Sequence, residues 1–145
     1  MALTLPHSSS ATVLMIDDNA EDLDSWSKLL VGSSTQYLIL KAQTVRAGLD
    51  LCQYQEVDCV VLDLDMDDSS GFEVLLHLIP DRKRPEIAVV VLTRLKNPTL
   101  HETVLHHGAQ ACLVKQCTSA RNLGDAIQKA IASVARTAKL KIADK

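Results

Sequence analysis

Five short apolar runs punctuate the chain, and each is followed by a segment of helical periodicity. The runs are TVLMID (12–17), YLIL (37–40), CVVLD (59–63), IAVVVLT (87–93) and ACLVK (111–115). Their interiors are continuously apolar rather than alternating, as in parallel strands covered on both faces. The last run is more mixed and takes its assignment from its place in the series. Residues 20–31 set Leu23, Trp26, Leu29 and Leu30 on one helical face, with Glu21, Asp22 and Asp24 in the first turn, where acids suit the positive end of the helix dipole. Residues 45–54 follow Thr44 as an N-cap, with Val45, Leu49 and Cys52 at helical spacing. Residues 71–79 carry Phe72, Leu75, Leu76 and Ile79 and stop at Pro80. Residues 99–107 end at Gly108, a natural C-terminal stop. Residues 120–136 align Leu123, Ile127, Ala130, Ile131 and Val134. The expected fold is α/β, a doubly wound five-stranded parallel sheet with right-handed crossovers and helices on both faces.

At 145 residues the chain suits one domain, expected over 12–135. Residues 1–11 (MALTLPHSSSA) read as a flexible arm, and 136–145 as a basic tail or helix extension carrying Arg136, Lys139, Lys141 and Lys145. A net charge of −3 gives no whole-molecule case for nucleic-acid binding. The longest apolar stretch, IAVVVL (87–92), is far too short for a bilayer, and the start lacks a signal peptide, so a cytoplasmic location is expected. Cys52, Cys59, Cys112 and Cys117 form no CxxC pair or metal-ligand ladder and read as reduced thiols. Arg82-Lys83-Arg84 reads as a solvated loop, and His101, His106 and His107 lack the spacing of a helical metal pair.

In such a fold the ligand site lies beyond the carboxyl ends of the strands, near the point where strand order reverses. The first run closes on Asp17-Asp18, the third on Asp63, the fourth on Thr93 and the fifth on Lys115. Parallel strands bring these ends to one rim. Two unit charges about 4 Å apart repel by about 4 kcal/mol at an effective dielectric of 20, so the carboxylates need protons or a cation. Hard oxygen ligands on an open rim favour Mg²⁺. Lys115 and Thr93 add a positive charge and a hydrogen-bond donor where a phosphoryl group could land.

These residues make the chain resemble the receiver domain of two-component response regulators, a flavodoxin-like (βα)5 fold. The resemblance covers about residues 12–135 and rests on LMIDDN (14–19), VVLDLDM (60–66) with Gly71 beyond it, VVVLTR (89–94) and HGAQACLVK (107–115). The separations between Asp18, Asp63, Thr93 and Lys115, at 45, 30 and 22 residues, are typical of that family. The resemblance implies a non-enzymatic signalling module with Asp63 as phosphoacceptor. Asp17, Asp18, Asp63 and the backbone carbonyl of Asp65 would then hold Mg²⁺, with Thr93 and Lys115 acting on the phosphoryl group. Its partners would be a histidine kinase or phosphotransfer protein, then a downstream protein or adjoining domain, with a homodimer possible and no direct DNA binding or membrane contact.

Four positions depart from the family pattern: Asp67 and Gln116 where proline is usual, Arg94 where a small residue is usual, and Cys112 at the aromatic switch position. A non-proline cis bond costs about 2.5–4 kcal/mol, so a trans Lys115–Gln116 peptide and a shifted lysine loop are expected. Arg94 would either restrict the pocket or reach outward to a partner. The contrasting readings are a degenerate receiver that binds partners constitutively and, less favoured, a Mg²⁺-dependent phosphohydrolase using Asp65.

Overall fold

A computed structural model describes residues 11–33, 36–66 and 71–143, with side chains up to residue 135. The expected N-terminal arm lies outside the described residues except for Ala11, and Asp67 and Asp68 lie outside them too. The elements alternate as β1 (Ala11–Ile16), α1 (Ala20–Val31), β2 (Tyr37–Ala42), α2 (Val45–Tyr54), β3 (Cys59–Leu62), α3 (Gly71–Leu78), β4 (Ala88–Thr93), α4 (Pro98–His106), β5 (Ala111–Val114) and α5 (Ala120–Ala143). The sheet is parallel in the order β2-β1-β3-β4-β5. The chain builds β2 on one side of β1 and then crosses to β3 on the other. The order therefore reverses between β1 and β3, and a cleft opens beyond their carboxyl ends.

Burial explains the apolar runs. Every residue of β3 and β4 is buried, as is β1 from Val13 to Ile16, while the edge strands β2 and β5 are mostly half-covered. Alternate side chains feed two cores. Leu14, Ile16, Val60, Leu62, Val89 and Val91 face one side with Val74, Leu75 and Val104 of α3 and α4. Val13, Met15, Val61, Val90 and Leu92 face the other with Leu23 and Leu30 of α1 and Leu123 and Ile127 of α5. Among the described residues, no helix is long and apolar enough to cross a membrane.

Local chemistry sets the helix ends. The Asn19 side chain accepts the Asp22 N–H (3.0 Å) and Thr44 accepts that of Ala47 (3.1 Å). Asn97 caps α4 with Pro98 in its first turn, one residue earlier than the periodicity suggests. Gly108, at φ 106°, turns its N–H back to the Leu105 carbonyl, a left-handed stop that other residues adopt at a cost. Two expectations are corrected. Leu29 and Leu76 are exposed at 49% and 42%, because α1 buries Leu23, Ser27 and Leu30 and α3 buries Val74 and Leu75, whose neighbours rotate about 100° toward solvent. Strand β2 runs on through Lys41 and Ala42, since pairing with Met15 and Ile16 continues after its apolar run ends. Of the two readings of the C-terminal segment, tail or helix extension, the backbone takes the second: helix α5 extends to Ala143, through Ala, Leu and Lys residues of high helix propensity.

Gly71 carries a direct constraint on the backbone just beyond β3. A Cβ there would stand 2.2 Å from the Asp63 carbonyl oxygen and 2.7 Å from Leu64 Cα, both backbone atoms that cannot swing aside. Gly71→Ala is expected to lower stability by about 1–3 kcal/mol, read as a fall in the urea midpoint. Thiol labelling tests the sheet order. Cys59 on central β3 has no exposed surface, and burial pushes its thiol up to about 12. Under native conditions a thiol reagent followed by mass spectrometry should mark the exposed Cys117 and spare Cys59 until the protein unfolds. Early modification of Cys59 would contradict a central β3.

Candidate functional site

The strand ends converge as the sheet demands. Asp17 follows β1 and Asp63 follows β3, and both are buried at 7% exposure, while Asp18 beside them is half-buried. Ligand oxygens of Asp17, Asp18 and Asp63 all lie within 4.8 Å of one another. Lys115 comes from beyond β5, in a short 3-10 turn (Lys115–Cys117), and its buried ammonium reaches across the cleft. Its Nζ donates to Asp17 Oδ2 at 2.5 Å, Asp22 Oδ2 at 2.8 Å and Asp63 Oδ2 at 3.3 Å. The second oxygens of the acids are tied to backbone: Asp17 Oδ1 accepts the Asn19 N–H at 2.9 Å and Asp63 Oδ1 accepts the Asp65 N–H at 3.3 Å. The Asp65 side chain itself is exposed. Thr93 completes β4 fully buried, and its hydroxyl accepts the Leu95 N–H at 3.2 Å, apart from the lysine network.

Asp22 is the site residue that the sequence reading assigned elsewhere, to the helix dipole of α1. It accepts from Lys115 and also from Arg94, whose Nη2 lies 2.9 Å from each of its carboxylate oxygens. The sequence holds only general signals for it: Asp22 stands four residues after Asp18, and an arginine in place of a small residue beside the site calls for an anion without saying which. Arg94 therefore neither blocks the cleft alone nor reaches freely outward, although 55% of its side chain is exposed. Cys112 packs half-buried against the α3–α4 core, and burial pushes its thiol up to about 11. Every peptide bond among the described residues is trans, Lys115–Gln116 included. His101 stays at the surface, its Nε2 2.9 Å from the Leu95 carbonyl oxygen.

The electrostatics follow from this crowding. Burial raises the Asp17 carboxyl, against the opposing pull of Lys115. Burial works against the charge on Lys115, but bonds to Asp17 and Asp22 and the field of Asp63 outweigh it and raise the lysine. For Asp22, burial is outweighed by Lys115 and Arg94, and the carboxyl is lowered. Among the described residues, the pocket gathers the carboxylates of Asp17, Asp18, Asp22 and Asp63 against Lys115 and Arg94. A hard divalent cation fits that oxygen donor set.

Fold and pocket together define a class: an α/β domain presenting clustered carboxylates and one lysine at the carboxyl edge of a parallel sheet. The chain belongs to the response regulator receiver domain family, whose model matches residues 13–128. It is 27% identical over 104 residues to the two-component response regulator ORR3 of Oryza sativa subsp. indica, covering 71% of this chain and 78% of that one. It is 28% identical over 91 residues to stress response regulator protein 1 of Candida tropicalis, covering 63% of this chain. The chain spans only about a third of the Candida proteins it matches, 34% in C. tropicalis and 32% in C. albicans. Among solved structures, a response regulator receiver domain from Clostridium thermocellum superposes with a TM-score of 0.75 at 27% identity, covering 85% of this chain and 95% of that one. A CheY-like receiver from Methanospirillum hungatei, at TM-score 0.73 and 22% identity over 88% of this chain and 98% of that one, shares the fold. Receiver domains bind Mg²⁺ at an acidic pocket and interact with histidine kinases or phosphotransfer proteins.

Lys115 is the cation on which the buried acids depend. Replacing it with the similarly sized Met strands Asp17 and Asp63 without a counter-charge. Lys115→Met is expected to lose about 3 kcal/mol of stability in chelator, with part of the loss recovered on adding Mg²⁺. Urea unfolding with and without the ion measures both effects.

Proposed function

We propose that the chain is a phosphorylation-controlled receiver that takes a phosphoryl group onto Asp63 from a phosphohistidine of a histidine kinase or phosphotransfer protein. The observation that carries this reading is the Lys115 ammonium 3.3 Å from Asp63 Oδ2, in the same pocket as the Asp17 and Asp18 carboxylates. An Asp63 carboxylate oxygen attacks phosphorus, the P–N bond breaks, and the departing imidazole nitrogen takes up a proton, leaving an acyl phosphate. The protein's part is positioning and charge neutralisation. The Asp65 N–H holds Asp63 Oδ1 and so orients the other oxygen for attack. Lys115 pairs with the acceptor and then with the phosphoryl oxygens. Thr93, whose hydroxyl accepts the Leu95 N–H, donates its own O–H to a phosphoryl oxygen and so couples the site to the loop after β4. Asp17, Asp18, Asp63 and the Asp65 carbonyl would hold Mg²⁺, which when bound supplies positive charge beside the transferred group.

The output passes to a partner protein or an adjoining domain. Cys112 gives that coupling no aromatic side chain to swing, so movement of Thr93 and its loop carries the change. One observation favours the constitutive-binding alternative: Lys115 and Arg94 already have carboxylate partners, so both cations are satisfied without a phosphoryl group. The phosphohydrolase alternative draws no support from Asp65, whose side chain points to solvent. Incubation with acetyl phosphate and Mg²⁺, read by intact mass, separates the readings. The wild type should gain one phosphoryl group and Asp63→Asn none, whereas equal modification of both would remove Asp63 as the acceptor.

A further inference from the structure

We infer that Asp22 is a positioning residue for phosphoryl acceptance, an internal anion that holds Lys115 in the resting protein and yields it to the phosphoryl oxygens on Asp63. The inference rests on the phosphoacceptor reading above.

Topology places Asp22 over the acceptor. It lies in the first turn after β1, and Arg94 follows β4. Strand β3 runs between β1 and β4, with neighbouring strands about 4.8 Å apart. The Asp22–Arg94 ion pair therefore bridges the carboxyl end of β3, where Asp63 stands. Arg94 grips both oxygens of Asp22, which fixes that carboxylate in place beside Lys115.

Lys115 is already fully committed. An ammonium has three N–H donors, and Asp17, Asp22 and Asp63 take all three. The bond to Asp63 is the longest of them, at 3.3 Å against 2.5 and 2.8 Å. A phosphoryl oxygen can receive a lysine N–H only if one of these acceptors gives way. Asp17 belongs to the cation-binding set, and Asp63 becomes the phosphorylated group itself. Asp22 is the acceptor with neither task. A phosphoryl group brings up to two negative charges and three acceptor oxygens, so it outcompetes a single carboxylate for the lysine. Arg94 remains to balance Asp22 after Lys115 leaves.

This arrangement gives the two partners opposite effects. Removing the Asp22 charge frees Lys115 for the phosphoryl group. Removing Arg94 leaves Asp22 with its whole charge directed at Lys115 and tightens the resting hold. A merely structural contact would instead weaken the site in both variants.

Beryllofluoride with Mg²⁺, a mimic of the phosphoryl group, can be titrated into the full chain and followed by ¹H–¹⁵N NMR. Asp22→Asn is expected to lower the half-saturating concentration about three- to tenfold, the equivalent of one net hydrogen bond released. Arg94→Gln is expected to raise it. The half-saturation for Mg²⁺ alone should stay within about twofold in Asp22→Asn, since Asp22 lies outside the Asp17, Asp18 and Asp63 group. Asp22→Ser supplies a second removal of the charge should the Asn variant fold poorly. Binding by Asp22→Asn where the wild type is silent also supports the inference. Wild-type binding with an unchanged or weakened Asp22→Asn overturns the inference alone. Silence in both proteins overturns it together with the phosphoacceptor reading.

Discussion

The Lys115 ammonium, set among three carboxylates, is the interaction on which the functional edge of this domain depends. Its backbone sits just beyond β5, at one edge of the sheet, while Asp17 stands at β1, three strands away in the sheet order. Only a long, flexible stem can cover that distance, and only a charged tip can hold acids that burial would otherwise drive to protonate. Lysine meets both needs. Cleft and core are coupled through it, because β3 and β4 must be buried along their full length for their ends to line up beneath the lysine.

The pocket is built around crowded charge. Asp17 carries a raised carboxyl, so the folded state holds its negative charge reluctantly, while Lys115 is raised by the same neighbours. A site in that condition is receptive to added positive charge. Asp22 and Arg94 modify this scheme. They add an ion pair beside Lys115, with Asp22 shared between the two cations.

The departures from the family pattern do not all act in the same place. Arg94 is absorbed into the polar network at the site. Cys112 is absorbed into the apolar core, where it is a small hydrophobe rather than a mobile aromatic ring. Gln116 follows the lysine through a trans bond, within a 3-10 turn that still delivers Lys115 to its partners.

Much of this was legible in the residues alone, and the reason is geometric. Parallel strands buried on both faces must be apolar throughout, so CVVLD and IAVVVLT declare themselves, and the rule that strand ends share one rim brings together Asp17, Asp18, Asp63 and Lys115. Local side-chain chemistry likewise announced Thr44 as a cap and Gly108 as a stop. What the sequence could not supply was anything that depends on rotation about a helix axis or on the path of a long side chain. Leu29 looks like core until the roll of α1 turns it to solvent, and the end of β2 depends on its partner strand rather than on its own hydropathy. Asp22 is the clearest case. In the chain it is one acid in a helix's first turn, and only the packing of α1 beside β1, with Lys115 and Arg94 arriving from residues 93 and 72 positions away, makes it part of the site. Sequence determined which strands and which acids. Tertiary structure decided which acids hold the lysine, Asp22 among them, because hydrogen bonds form between atoms brought within 3 Å or so, and distance along the chain does not encode that.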